Sequence, residues 1–475
     1  MSNDKTTLPT DAPGKRVATP ADLAADASKV HLEAAHAFAK DATGPEWLKD
    51  LRERAVRVFE KKGFPGKREE SFRYTNMRAA TNGKFALGTG DEAAAKVFVD
   101  AYAFEAVAAT VVMVDGRFSK DLSTIGDLPA GVVVGDLFDM GQNEPVIQKE
   151  LARQADVETN PFVALNTAFL GGGAVVHVPS KTSIDKPIHV LSINTGNSAS
   201  DEEAVVYPRL LVIAGDRAEF SLVETFVGPE ETAYLTNAVT EIVAGADCHI
   251  DHNKLNAEGR DGLHVATMEV DIGKSTVFVD HNSTIGSLLT RNDLNVHLNG
   301  ERADATLSGV SILTGKQHVD NHTLLDHQEP DCPSFELYKH VLDDEASGIF
   351  KGQIFVAQKA QRTDSKQSSR SLLLSDDAAM QSQPALEIYA DDVKCTHGST
   401  TGPLDEEAVF YLNSRGVSGD MAKRLLTYAF AADVTRRIKV EAVRQRVEDH
   451  MAKQHGLPTD FRIQDLADAT EDVVF

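Results

Sequence analysis

The chain has 475 residues, 42% of them hydrophobic and 25% charged, which is the composition of a globular protein with one large or two medium cores. Its 48 Lys and Arg against 72 Asp and Glu leave a formal charge of −24, which repels phosphate backbones and anionic lipid and argues against nucleic-acid and membrane-surface functions. Three scattered cysteines (Cys248, Cys332, Cys395) are too few for a disulfide framework or a four-cysteine metal site, and no run reaches the roughly 18 to 20 apolar residues of a membrane helix, so the cytoplasm is the expected compartment.

Residues 1–18 read as a loose tail without the apolar core of a secretory signal. From Thr19 and Pro20 to about Lys40 the chain is rich in Ala, Asp and Glu, and Pro20 suits a first helical turn, so a helix is expected. A second helix is predicted from Pro45 to Gly63, with Trp47, Leu51, Ala55, Val58 and Phe59 forming one apolar stripe. Gly63, Pro65 and Gly66 then break the pattern, and an irregular mixed-charge stretch follows. From about residue 106 the period changes to two, in short β-branched runs such as TVVMV (110–114), GVVV (131–134), AVVHV (174–178) and LLVI (210–213). One short helix is expected to interrupt, opened by Asn160 and Pro161, with Phe162, Leu165 and Phe169 on one face and Gly171–Gly173 after it.

An internal repeat is the most informative feature. GDRAEFSLVE, GADCHIDHNK, GKSTVFVDHN and GERADATLSG align on Gly215, Gly245, Gly273 and Gly300, at intervals of 30, 28 and 27 residues. Three residues after each glycine stands a small residue (Ala218, Cys248, Thr276, Ala303), and five after stands Phe220, Ile250, Phe278 or Ala305. Units of this length with strand patterning cannot bury their own faces and must stack, so the expected fold is mainly β, a parallel β-helix. At about Asp405 the pattern reverts to helix: Asp405 and Ser418 are caps, Gly416 is a stop, and an amphipathic run continues to Gln454. The expected organisation is a tail (1–18), an N-terminal helical domain (19–105), a β-helix core (106–402) and a C-terminal helical domain (403–475).

Each candidate site has a structural counterpart. Gly273, Lys274 and Ser275 resemble the end of a phosphate-binding loop, but Met268 stands where the first glycine belongs, so a repeat turn is expected. His318, Asp320 and His322 alternate on one strand face, with His327 beyond, and are a weak metal-site alternative to a polar ladder. His249 and His252 raise the same idea, while Cys248 fills the small-residue slot and is expected in the core. The acidic pairs Asp343–Asp344 and Asp376–Asp377 suggest a rival function, a β-helical carbohydrate-active lyase or hydrolase, but 6% aromatics and no export signal favour solvated turns. Cys395 and His397, two residues apart on an extended segment, point the same way and carry donors that suit iron or a cluster.

The segment around them, SRSLLLSDDAAMQSQPALEIYADDVKCTHGSTTGPLDEEAVFYLNSRGVS (369–418), resembles the C-terminal signature of the SufB/SufD family of iron–sulfur cluster assembly proteins. HVDNHTLLDHQEPDCPSFELYKHVL (318–342), GIFKGQIFVAQKAQRTDSKQ (348–367) and FVALNTAFL (162–170) are similar to the same family, so the resemblance covers about residue 45 to the end. WLKDLRERAVRVFEKKGFPGKREESFRYTNM, Gly398 after KCTH, and Leu412 resemble the SufD branch; Phe72 departs from it, standing where tryptophan is usual. The resemblance implies a right-handed parallel β-helix between helical ends. It also implies a non-enzymatic scaffold that pairs with SufB and binds the SufC ATPase through its C-terminal helices. A transient iron–sulfur cluster or iron would sit at the SufB interface rather than tightly on this chain alone; flavin is left open. The family's interface histidine falls on His397, with Cys395 secondary. In the C-terminal helices the apolar residues Val409, Phe410, Leu412, Met421, Leu425, Leu426 and Phe430 are the SufC-binding candidates, against the simpler role of capping the solenoid.

Overall fold

The computed structural model describes residues 20–458 except 43, 67–68, 82–84, 142–143, 159 and 198–201, so the expected tail (1–18) and the end of the C-terminal region lie outside the described residues. Two sheets, one of 12 strands and one of 10, run the length of the molecule. The chain alternates between them: Glu219–Val227 lies in the second sheet, Tyr234–Ala244 in the first, His249–Asn256 in the second and Gly262–Ile272 in the first. Each strand pairs in parallel with the one a turn earlier, so the 27- to 30-residue interval is one circuit of the expected β-solenoid. Antiparallel pairing is confined to its start, at Ala109–Val114 with Arg117–Ile125 and at Val133–Asp136 with Ala174–Val178.

The constant register turns a period-two sequence into columns. Val176, Val212, Ile242, Val270, Val296, Leu325 and Ile354 stack on successive turns of the first sheet, all fully buried. At about 1.5–3 kcal/mol for each buried aliphatic side chain, this column is a major stabilising element.

The repeat glycines act through close approach, and the left-handed residue of each turn is a different one. Arg217, Asp247, Ser275, Arg302, Asp331 and Arg362 have φ of 55° to 62°. In all six the backbone N–H donates to a carbonyl of the next turn. A Cβ on Gly273 would meet the Gly245 carbonyl oxygen at 2.7 Å, and one on Gly300 would meet the Lys274 nitrogen at 2.0 Å. The phosphate-loop lookalike at Gly273–Ser275 is therefore a solenoid turn, as expected.

Helices Pro20–Asp41 and Glu46–Lys62 lie near their predicted bounds. They close over helix Pro161–Ala168, which Asn160 caps by accepting from the Phe162 N–H. The sequence pattern gave this helix one apolar face, but all eight residues are buried, because the N-terminal helices cover one side and the first sheet the other. The C-terminal run is three helices, Glu406–Ser414, Gly419–Thr435 and Glu441–Gln454, with Asp405 and Ser418 as the expected caps. The last two pack on the outer face of the second sheet, against Leu255, Ile285, Val310, Leu337 and Val341. Among the described residues no helix is long and apolar enough to cross a membrane.

Candidate functional site

The solenoid ends on strand Val393–Gly402, whose one strand partner is Thr363–Leu373. Among the described residues no strand pairs with its other edge, and most of its side chains are exposed. The first sheet stops at the same end on Ala379–Ser382 and Ala385–Ile388, next to the exposed Ile388 and Tyr389. Cys395 and His397 stand on this last turn in register with Ser365 and Gln367, both buried and inward-facing. The two-residue spacing does place thiol and imidazole on one side. Cys395 is half-buried against the end of the core, while His397 is exposed. Burial pushes the Cys395 thiol up, so it is not a ready thiolate.

The interior behind this turn is polar. Ser334 and Ser365 hydroxyls lie 2.6 Å apart, and His327 Nε2 is 3.0 Å from Ser334 Oγ. Gln367 Nε2 donates to Glu336 Oε2 at 2.6 Å, and burial pushes the Glu336 carboxyl up to about 7 despite that bond. Three turns deeper, His252 is held between Asp280 Oδ1 (2.6 Å) and Glu224 Oε1 (3.0 Å). Burial alone would lower its pKa, but the two carboxylates outweigh it and bring it to about 9. Nearby, burial lowers Lys254 to about 8 while its Nζ donates to Asn292 Oδ1 at 2.7 Å.

Glu224, Asp280, Lys254 and Glu336 were not among the sequence candidates, and His252 was one only as a possible metal ligand beside His249. A signal was available. Seven residues after the repeat glycines come Leu222, His252, Asp280 and Leu307, a position with the same parity as the core slots at three and five, so these side chains had to point inward. Cys248 and Cys332 are buried in equivalent turn slots, with Sγ 3.1 Å from the Gly215 and 3.3 Å from the Gly300 carbonyl oxygen.

The His318, Asp320 and His322 group sits on the outer face and is an ion-pair clamp. Arg291 places Nη1 2.6 Å from Asp320 Oδ2, Nη2 2.6 Å from Asp293 Oδ1, and its guanidinium 4.6 Å from the Phe72 ring centroid. It also donates to the Ser71 carbonyl at 2.7 Å, and the Thr75 hydroxyl donates to Asp320. Burial would raise Asp320, but the Arg291 charge and the bonds from His322 and Thr75 hold its carboxyl well below the usual range. His327 points inward, away from the other three, and among the described residues no cluster of three or more His, Cys, Asp or Glu has the geometry of a metal site. Phe72, where tryptophan is usual, still supplies the aromatic face that Arg291 covers. Asp344 is a left-handed turn residue (φ 54°) whose carboxylate accepts from the Gly315 N–H, and Asp376 and Asp377 are exposed.

The C-terminal apolar residues divide. Met421, Leu425 and Phe430 pack on the solenoid, and Leu426 is half-buried on the same helix. Helix Glu406–Ser414 has no buried residue: Val409 and Leu412 are half-buried and Phe410 is 73% exposed. Val409 and Phe410 border a groove of about 430 Å³ together with Leu373, Leu374, Leu404 and Thr427.

Comparison with known proteins agrees with this architecture. Residues 31–190 match the SufBD protein N-terminal region, which therefore begins earlier than residue 45, and residues 195–430 match the SufBD core domain of SUF system FeS cluster assembly. An iron–sulfur cluster assembly SufBD family protein of Synechocystis is 30% identical over 400 residues, covering 81% of this chain and 86% of that protein. The iron–sulfur cluster assembly protein SufD of Escherichia coli is 29% identical over 81% of this chain and 88% of its own length, and that of Bacillus subtilis 23% identical over 88% and 96%. With nearly the whole solenoid and its N-terminal helices inside these matches, the chain belongs to the SufBD family of iron–sulfur cluster assembly proteins.

Proposed function

We propose that this chain is a SufD-type scaffold subunit that pairs edge-on with a SufB-type partner and presents His397 to iron or a nascent cluster at that junction. The observation that carries this reading is the terminal strand: the cluster-ligand candidates lie on the last, unpaired edge of a ten-stranded sheet. Such an edge recruits another strand, and a partner's strand laid beside it would enclose His397 between two subunits. An imidazole nitrogen can ligate iron, and a ligand shared across an interface can release its cargo when the subunits move apart. Cys395, with its raised pKa, is the secondary ligand. The test is cluster yield from the complete complex carrying His397→Ala, with melting temperature and subunit stoichiometry measured alongside. Loss of yield with assembly and stability unchanged is expected, since an exposed side chain contributes little to the solenoid; normal yield from an intact complex would refute the ligand role.

The second contact of the scaffold is the SufC-type ATPase, placed on helix Glu406–Ser414. Phe410 exposes 73% of its surface beside a groove lined by both apolar and polar side chains, which suits the anchor of an interface. Phe410→Asp is expected to weaken ATPase binding at least tenfold, the scale of about 1.4 kcal/mol or more for a lost aromatic anchor, without lowering the melting temperature. Unchanged binding in a titration would move the interface elsewhere.

A further inference from the structure

Glu336, Gln367 and His397 occupy one inward-facing column on three successive turns of the second sheet. Neighbouring parallel strands lie about 4.8 Å apart, so an amide on the middle turn can reach both neighbours. One arm of Gln367 is committed backwards, its Nε2 donating to Glu336 Oε2 at 2.6 Å. The amide is also crowded from across the interior: a Cβ on Gly352, in the opposite sheet, would stand 2.1 Å from Nε2 and 2.8 Å from the Phe350 ring, so a larger residue there would make the amide shift. The other arm is unused. Gln367 is 3% exposed, and its Oε1 accepts from no described residue. A buried acceptor without a donor is costly, and the following turn, in register with Gln367, carries His397.

We propose that Gln367 is a positioning residue for His397: the exposed ring makes no bond to the amide in this structure, and when it turns inward Oε1 accepts the N–H of one ring nitrogen and so fixes the tautomer and ring plane in which the other nitrogen looks out of the open end of the solenoid. This rests on the reading of His397 as the presented ligand only for its purpose, because the proposed bond needs no partner subunit. Glu336 and Gly352 then have a shared role, keeping the amide turned with its oxygen forward. A hydrogen bond to the second nitrogen is the usual way a ligating imidazole is oriented and its donor strength raised.

The test is the tautomer of His397 in the full-length chain labelled with ¹⁵N-histidine. Two-bond ¹H–¹⁵N correlation spectra are recorded at a pH where the ring is neutral, and the signal is assigned by its loss in His397→Ala. The expected result is one tautomer in about tenfold excess, the equivalent of one hydrogen bond. Gln367→Met, of similar volume without the acceptor, should bring the two tautomers to comparable populations, and Gly352→Ala, which displaces the amide without removing it, should do the same. A mixture in the unsubstituted chain overturns the proposal by itself, even if neither variant folds. Persistence of a single tautomer in folded Gln367→Met overturns it equally. Neither readout involves iron, so this inference and the ligand reading can fail separately.

Discussion

Replacing His252 with leucine is expected to destabilise the chain by about 3 to 5 kcal/mol, the range seen when one partner of a buried ionic group is removed. Glu224 and Asp280 both point at this ring from neighbouring turns, and all three side chains are buried. Without the imidazolium, two carboxylates face each other inside the solenoid with no cation in contact. The pH dependence identifies the mechanism. His252 titrates at about 9 in the folded chain against an ordinary value of 6.5, so its contribution is complete below pH 6.5 and is lost as the pH rises through 9. A rise of that size corresponds to about 3 kcal/mol, in line with the expected loss. Urea unfolding at pH 6, 7.5 and 9 should show a steeper decline in the unsubstituted chain than in His252→Leu, since Glu336 titrates in both. Equal midpoints and equal pH slopes would mean that the carboxylates share a proton and do not depend on the histidine.

Arg291→Leu is expected to cost a similar amount, about 3 to 5 kcal/mol, for a related reason with a different structural outcome. The guanidinium is 1% exposed and serves two carboxylates, a backbone carbonyl and an aromatic face at once. Two of these contacts, to Asp293 and Asp320, hold the solenoid to itself, as does a further one between Arg291 Nη2 and His322 Nδ1 (3.0 Å), while Ser71 and Phe72 belong to the N-terminal segment. Removal should therefore lower the unfolding midpoint and also release residues 69–77, which limited proteolysis would detect as new cleavage near Arg73. Asp320→Asn added to Arg291→Leu should recover part of the loss, because it removes the stranded charge. If the double variant were less stable than the single one, the stranded-carboxylate explanation would fail.

These two residues mark where reading the sequence stopped short. Period-two patterning states which side of a strand a residue occupies but not what covers that side. His252 and Asp280 share parity with Ile250 and Phe278, so their inward direction was already written in the repeat; that they meet Glu224 depended on stacking successive turns in constant register. Arg291 carried no signal at all, since its partner Ser71 is 220 residues away and the irregular segment around it has no periodicity. The same limit applied to the C-terminal helices: their apolar residues were visible, but only packing divided Met421, Leu425 and Phe430, laid on the solenoid, from Phe410, left bare.

What the sequence determined by itself was local or periodic. Asn160, Asp405 and Ser418 cap helices because a side-chain oxygen satisfies an orphan N–H a few residues on. The glycine interval equals one solenoid turn because a unit of that length has no other way to bury its inward face. The two-residue spacing of Cys395 and His397 placed them on one side of an extended strand. The tertiary structure alone decided that this strand is the last, with an open edge, and that a buried amide and carboxyl stand behind His397. Depth and neighbours come from contacts between residues far apart in the chain, which side-chain spacing along one strand does not encode.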